Sequence, residues 1–318
     1  MAVLTSLDGQ DVAALLALYG LDPPRGFEGI AAGSVNSNFA VDAERRLFLR
    51  LYEERDLDGA RREGAMLERL AAAGVPTPPP LRRLDGKLVS VVKGKPAALF
   101  GWCEGTMRCQ AGVSRSDAAR VGEALARVHL AGAREAAEQG RFGLPDLLDR
   151  VARIGGSGDP VFGPMAPTLR ESLEAASAAR DPALPRGLTH GDLFRDNVLW
   201  AADGHIAALL DFESACADTY TYDLMVTVLS WCFGDGLDAG LASAMRDGYE
   251  RVRPLSEAEK QGLWADGCFA ALRFKVTRIT DYAMRTGAHG ARVVKDWRRF
   301  DKRFDELRAL GREGLFCT

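Results

Sequence analysis

The order in which two apolar rhythms occur constrains this chain more than any other feature. From residue 29 to residue 102 apolar side chains come in short runs bounded by turn formers, at 29–31, 39–41, 47–52, 88–92 and 97–102, as strands require. Among them stands one helical stretch, 60–73, where Leu67, Leu70 and several alanines share a side and Gly74 with Pro76 marks the stop. A further helix is expected at 11–19. Beyond residue 102 the helical period dominates, at 116–131, 166–179, 223–233, 237–252, 256–285 and 292–311. Ser114 to Asp117 and Leu255 to Glu259 supply N-cap signals for two of these helices. Gly94-Lys95-Pro96 reads as the turn between the last two strands, and 154–160, rich in glycine, as a mobile connection. A chain of 318 residues exceeds what one core ordinarily fills. The expectation is an α+β, bilobal chain, with a β-rich N-terminal lobe over 1–101 and a mostly α-helical C-terminal lobe over 102–318.

Composition removes several function classes. The formal charge of −3, without a long basic block, gives no field for a polyanion, so nucleic acid is not an expected partner. The longest strongly apolar stretch, 224–233, falls short of the roughly 20 residues that span a bilayer. The first twenty residues carry Asp8 and Asp11 where a secretory signal needs a basic start and an apolar run. No membrane partner is expected. Cys103, Cys109, Cys216, Cys232, Cys268 and Cys317 form no Cys-x-x-Cys pair and have no histidine at zinc spacing, so they read as reduced thiols of a cytoplasmic protein.

The interval 188–212 breaks the helical rhythm and carries the chemistry. It reads as two short strands, 188–200 and 206–212, around the polar run His190-Gly191-Asp192-Leu193-Phe194-Arg195-Asp196-Asn197. Fourteen residues after Asn197, the apolar 207–210 leads into Asp211-Phe212-Glu213. Phosphoryl transfer to an alcohol needs a carboxylate beside the hydroxyl and oxygen ligands for the ion bridging the nucleotide phosphates. An Asp, an Asn five positions later and an Asp ending the next strand supply that set. A polar hairpin with capping side chains would explain His-Gly-Asp alone, but not the full spacing. No Gly-x-x-x-x-Gly-Lys-Ser/Thr run is present, which argues against a P-loop enzyme. His190-Gly191-Asp192 in place of His-Arg-Asp, Glu213 where Asp-Phe-Gly has its glycine, and the lack of Ala-Pro-Glu argue against a protein kinase.

This segment resembles the catalytic loop and metal-binding strand of the aminoglycoside phosphotransferase and choline kinase superfamily, whose fold is protein-kinase-like. The resemblance implies that Asp192 positions the acceptor hydroxyl and takes its proton, that Asn197 and Asp211 bind Mg2+, that His190 packs beneath the loop, and that Asp223 braces it, although Asp223 also reads as a plain helix N-cap. It further implies an ATP site in which Gly33, Ser34 and Ser37 belong to a small-residue phosphate cover, Arg50 holds the phosphates and Glu63 pairs with Arg50.

Within the superfamily, several segments resemble the homoserine kinases of the aminoglycoside phosphotransferase-like type: 33–39, 192–198, Asp211-Phe212 with Ala215-Cys216, Trp231-Cys232, Arg253-Pro254-Leu255 and the run 271–282. The family usually has His-Ala-Asp where Gly191 stands, Glu at Val35 and Tyr-Phe at Glu213-Ser214. The resemblance implies transfer of the ATP γ-phosphate to L-homoserine, giving O-phospho-L-homoserine for threonine biosynthesis. The alternatives are a choline, hydroxylysine or aminoglycoside kinase, or an inactive nucleotide-binding regulator. Homoserine presents a carboxylate and an ammonium, so its pocket should pair a cation with an acid. On the helix around 269–283, Phe269, Leu272, Val276 and Ile279 form an apolar stripe with Arg273 at its margin, Asp281 further round and Arg278 nearly opposite. Arg273 and Asp281 are the candidate acceptor contacts. Trp231, Trp264 and His129 read as core.

Overall fold

The computed structural model describes residues 4–31, 35–133, 135, 137–285 and 295–316. These gather into two compact units: one of residues up to 105 with 207–210, the other of 106–206, 211–285 and 295–316.

In the first unit, α1 (Gly9–Ala17) starts at a reciprocal cap in which Asp8 accepts from the Gln10 and Asp11 amides while Asp11 accepts from the Asp8 amide. Strands β1 (Gly26–Ile30), β2 (Ser37–Asp42) and β3 (Arg46–Leu51) precede α2 (Leu57–Ala72), and β4 (Ser90–Val92) and β5 (Lys95–Gly101) follow it. The sheet runs β1-β2-β3-β5-β4 with antiparallel pairs throughout. Period-two alternation on β3 buries Leu47, Leu49 and Leu51 in a core shared with Val12, Leu15 and Leu16 of α1, and turns Phe48 and Arg50 to the other face. Register sets Arg50 opposite Asn38 on one side and Ala98 on the other. The turn expected at Gly94-Lys95-Pro96 lies one residue earlier. Val92 pairs with Lys95, and Lys93 and Gly94 both take positive φ, 49° and 77°. A two-residue turn of this kind needs positive φ at both centres, which proline cannot adopt.

The second unit contains α3 (Arg115–Ala131), α4 (Leu144–Gly155), α5 (Ala166–Ala178), β6 (Arg186–Thr189), β7 (Val198–Trp200), β9 (Cys216–Thr219), α6 (Tyr220–Trp231), α7 (Ala239–Val252), α8 (Glu257–Asp281) and α9 (Arg298–Gly314); β8 (Ile206–Leu209) runs between β7 and β9 in the sequence. Ser114 with Asp117 and Ser256 with Glu259 form full capping boxes at α3 and α8. Helices α3 and α7 touch backbone to backbone: a Cβ on Gly122 would stand 2.1 Å from the Met245 carbonyl oxygen, and one on Gly248 2.1 Å from that of Ala119. Helix α8 packs against α4, α5, α6 and α9 and is buried almost all round, so the single apolar stripe expected of it understates its burial. Two elements escaped the sequence reading, α4 and β9. Ile154, expected to open a mobile connection, is fully buried at the end of α4, because Leu147, Val151 and Ile154 make one stripe at helical spacing. Among the described residues no helix is long and apolar enough to cross a membrane.

Candidate active site

β6 pairs with β9, Thr189 opposite Cys216, and the chain passes straight from β6 into the run His190 to Asn197. Gly191 takes φ +74°, and a Cβ there would stand 2.6 Å from the Ser214 carbonyl oxygen, so glycine fits where the related family usually has alanine. His190 is fully buried, with its ring 4.4 Å from that of Phe212, and its Nδ1 accepts from the Asp192 amide at 3.3 Å.

Asp223 holds the loop from below. Its carboxylate accepts from the His190 amide at 2.6 Å, the Gly191 amide at 2.8 Å and His129 Nε2 at 3.0 Å, and none of it is exposed. It is not the N-cap of α6. Thr219 is, with its hydroxyl accepting from the Tyr222 amide, which leaves Asp223 inside the first turn and aimed at the loop. Despite burial, hydrogen bonds from His129 and the loop keep the Asp223 carboxyl below the usual range. Burial pushes His129 down against the pull of Asp223, so the ring is neutral. That tautomer completes a relay in which Arg253 donates to the Tyr249 hydroxyl, Tyr249 to His129 Nδ1, and His129 Nε2 to Asp223.

On the loop itself, Asn197 Nδ2 donates to the Asp192 carbonyl at 2.8 Å, which commits the amide nitrogen and leaves Oδ1 as an oxygen donor. Asp211 follows β8 with φ 62° and ψ 62°, left-handed geometry that a residue with a Cβ enters at a cost. Burial raises the Asp192 carboxyl to about 6; Arg273 and Lys295 pull it down, while Asp211 and Asp196 push it up. Asp192 and Asp211 thus lie within each other's field. Among the described residues no cluster of three or more His, Cys, Asp or Glu could hold a metal alone. Two oxygen donors, Asn197 and Asp211, match instead an ion that takes its remaining ligands from phosphates and water.

Arg273 is 4% exposed, with Nη1 4.0 Å from Asp192 Oδ1 and its guanidinium 4.1 Å over the Phe142 ring and 3.7 Å over that of Phe274. Among the described residues its Nε has no hydrogen-bond partner. Asp281 is bound to Arg150 at 2.6 Å, and Arg150 also reaches Thr280. Arg278, expected to point away, lies within the field of Asp192. Phe142 and Arg150 escaped the sequence reading, although Gly143-Leu144-Pro145 is a helix-start signal that would have placed both.

In the first unit, Arg50 Nη1 lies 3.6 Å from Glu63 Oε1, and Glu63, 4% exposed, also takes Arg55 at 3.3 Å and the Tyr52 hydroxyl at 3.1 Å. Ser37 departs from its expected place in a phosphate cover. Its buried hydroxyl donates to Glu53 and accepts the Leu4 and Thr5 amides, so no donor is left for a phosphate. Gly33 and Ser34 lie outside the described residues.

The phosphotransferase enzyme family matches residues 26–255. A homoserine kinase of Methylocella silvestris is 38% identical over 89% of this chain and 88% of its own length, and one of Caulobacter vibrioides is 36% identical over 99% of both. Among solved structures, a spectinomycin phosphotransferase in complex with ADP and spectinomycin superposes with TM-score 0.71 at 15% identity, covering 95% of each chain. An amicoumacin kinase in complex with AMP-PNP and Ca2+ gives TM-score 0.71 at 14% identity over 96% of this chain and 93% of its own. These superpositions give the chain the protein-kinase-like α+β fold of those enzymes.

Proposed function

The chain belongs to the phosphotransferase enzyme family, and from that premise we infer that it is a homoserine kinase, which transfers the γ-phosphate of ATP to the hydroxyl of L-homoserine and releases O-phospho-L-homoserine for threonine biosynthesis. The observation that carries the acceptor is the end-to-end agreement with homoserine kinases, 99% of both chains in one case.

The chemistry follows from the loop. Asp192 orients the acceptor hydroxyl and takes its proton as the oxygen attacks the γ-phosphorus; a carboxyl raised to about 6 is ionised at neutral pH yet more basic than an ordinary aspartate. Asp223, through the His190 and Gly191 amides, fixes where that carboxylate stands. Asn197 and Asp211 hold the divalent ion that accompanies ATP, which we take to be Mg2+. Bound there, such an ion would supply positive charge against the phosphate oxygens. Arg50, steadied by Glu63, holds the nucleotide phosphates, with the segment containing Gly33 and Ser34 as their cover. Arg273 pairs with the acceptor carboxylate, and Asp281 with its ammonium. A buried cation 4.0 Å from the base suits a carboxylate-bearing acceptor and disfavours a polycationic aminoglycoside. The cytoplasm is the compartment we assign, and Cys103, Cys109, Cys216, Cys232 and Cys268 are free thiols, as that setting allows.

Coupled ADP release with acceptors at matched concentration tests the reading. L-homoserine should exceed choline, ethanolamine, serine and kanamycin in kcat/KM. A win for choline or kanamycin would remove the homoserine assignment and keep the kinase; turnover of none would favour an inactive regulator.

A further inference from the structure

The α-helical unit also contains a cavity of about 1080 Å³ whose lining includes none of the residues given roles above. Four cations face it: Arg195 from the loop, and Arg299, Lys302 and Arg303 from α9. The last three fall at i, i+3 and i+4, which gathers them on one side of the helix. Among the described residues, none of the four has a carboxylate within ion-pair distance. Arg195 spends its hydrogen bonds on neutral acceptors, Gln110 Oε1 and the Ser230 carbonyl. Arg303 is 8% exposed and lies over two rings, 4.5 Å from Phe300 and 5.5 Å from Phe233. The acids of the lining are turned to other uses or to solvent: Glu306 accepts from the Leu237 amide at 2.7 Å, Asp238 caps α7 through the Leu241 amide, and Asp235 is exposed.

Burial pushes Arg303 down to about 9, and Arg278, Arg195 and Arg299 push it the same way. Like charges gathered around one concavity, with its carboxylates outside ion-pair distance of them, are costly unless an anion completes the arrangement. Guanidinium forks suit the geometry of phosphate oxygens, and a lysine beside them adds a mobile point charge.

We propose that this cavity binds a phosphate-bearing small molecule, held through its anionic oxygens by Arg195, Arg299, Lys302 and Arg303. The proposal does not rest on the acceptor assignment. Arg195 lies two residues before Asn197, so the ligand would join the loop that carries the candidate base.

Isothermal titration of inorganic pyrophosphate into metal-free protein already saturated with ADP tests it, the nucleotide being present to occupy its own phosphate site. The wild-type chain should take up one further equivalent. The double variant Arg299→Gln/Lys302→Gln changes two exposed side chains, and should bind pyrophosphate at least about tenfold more weakly with ADP affinity and basal turnover unchanged. Arg303→Gln should raise the melting temperature in the absence of anion, by removing a repelled cation, and abolish the further rise on adding pyrophosphate. No binding to the ADP-saturated wild type would overturn the proposal, as would equal affinity in the double variant or an undiminished pyrophosphate response in Arg303→Gln.

Discussion

Two carboxylates in this protein, Glu63 and Asp192, are treated in opposite ways. Glu63 lies between two guanidiniums, Arg50 at 3.6 Å and Arg55 at 3.3 Å, and accepts a tyrosine hydroxyl besides. Asp192 has, among the described residues, one cation within ion-pair distance, Arg273 at 4.0 Å, and feels Asp211 and Asp196 pushing against its ionisation. A compensated carboxylate is a fixture: its charge serves to aim the arginine. An under-compensated one is chemically poised, because it costs stability when ionised and gains a proton readily. In the proposed mechanism, the difference separates a residue that holds from a residue that reacts.

The contrast can be broken most severely at Asp211. Asp211→Ala should lower turnover by about 10³-fold or more and weaken nucleotide binding in the presence of a divalent ion, while metal-free ADP binding changes little. Equal loss of both in calorimetry would indicate misfolding rather than a lost ligand. Next comes the proposed base. Asp192→Asn keeps the size of the side chain but cannot take a proton, so kcat should fall by about 10²-fold with ATP affinity nearly unchanged. Steady-state kinetics with turnover close to wild type would remove the mechanism.

The compensated side should respond in stability instead. Glu63→Gln strips the charge that two arginines face, and chemical denaturation should show a loss of about 2 kcal/mol. Arg50→Ala, the mildest, should raise KM for ATP about tenfold without altering the ranking of acceptors. An altered ranking with unchanged ATP kinetics would place Arg50 elsewhere.

What could be read in advance depended on how local each signal is. The capping boxes at Ser114 and Ser256 are written in four consecutive residues, and β3 in strict alternation, so both elements were legible. The polar loop at 190–197 was legible for the same reason. Helix α4 was not, since its stripe is only three residues long and ends in glycine. Nor was the true use of Ser37, whose partner Glu53 is brought to it by the pairing of β2 with β3. Arg278 shows the commonest failure. A helix packed on every side has no outside, so spacing alone could not say that its guanidinium would enter the field of Asp192. The relay from Arg253 through Tyr249 and His129 to Asp223 joins α7, α3 and α6, and no pattern within any one of them announces it.

The contrast between Glu63 and Asp192 rests on one quantity, the cost of ionising Asp192 in the folded chain, and unfolding free energies of wild type and Asp192→Asn between pH 4 and pH 8 measure it. A folded carboxyl at about 6, above its unfolded value of 3.8, favours the fold while protonated and loses that advantage as pH rises through about 6. A gap of about two pH units corresponds to about 3 kcal/mol. The expected result is a variant close to wild type in stability near pH 4 and more stable by up to about 3 kcal/mol at pH 7 and above. A difference that stays flat across this range, or one that favours wild type as pH rises, would contradict it.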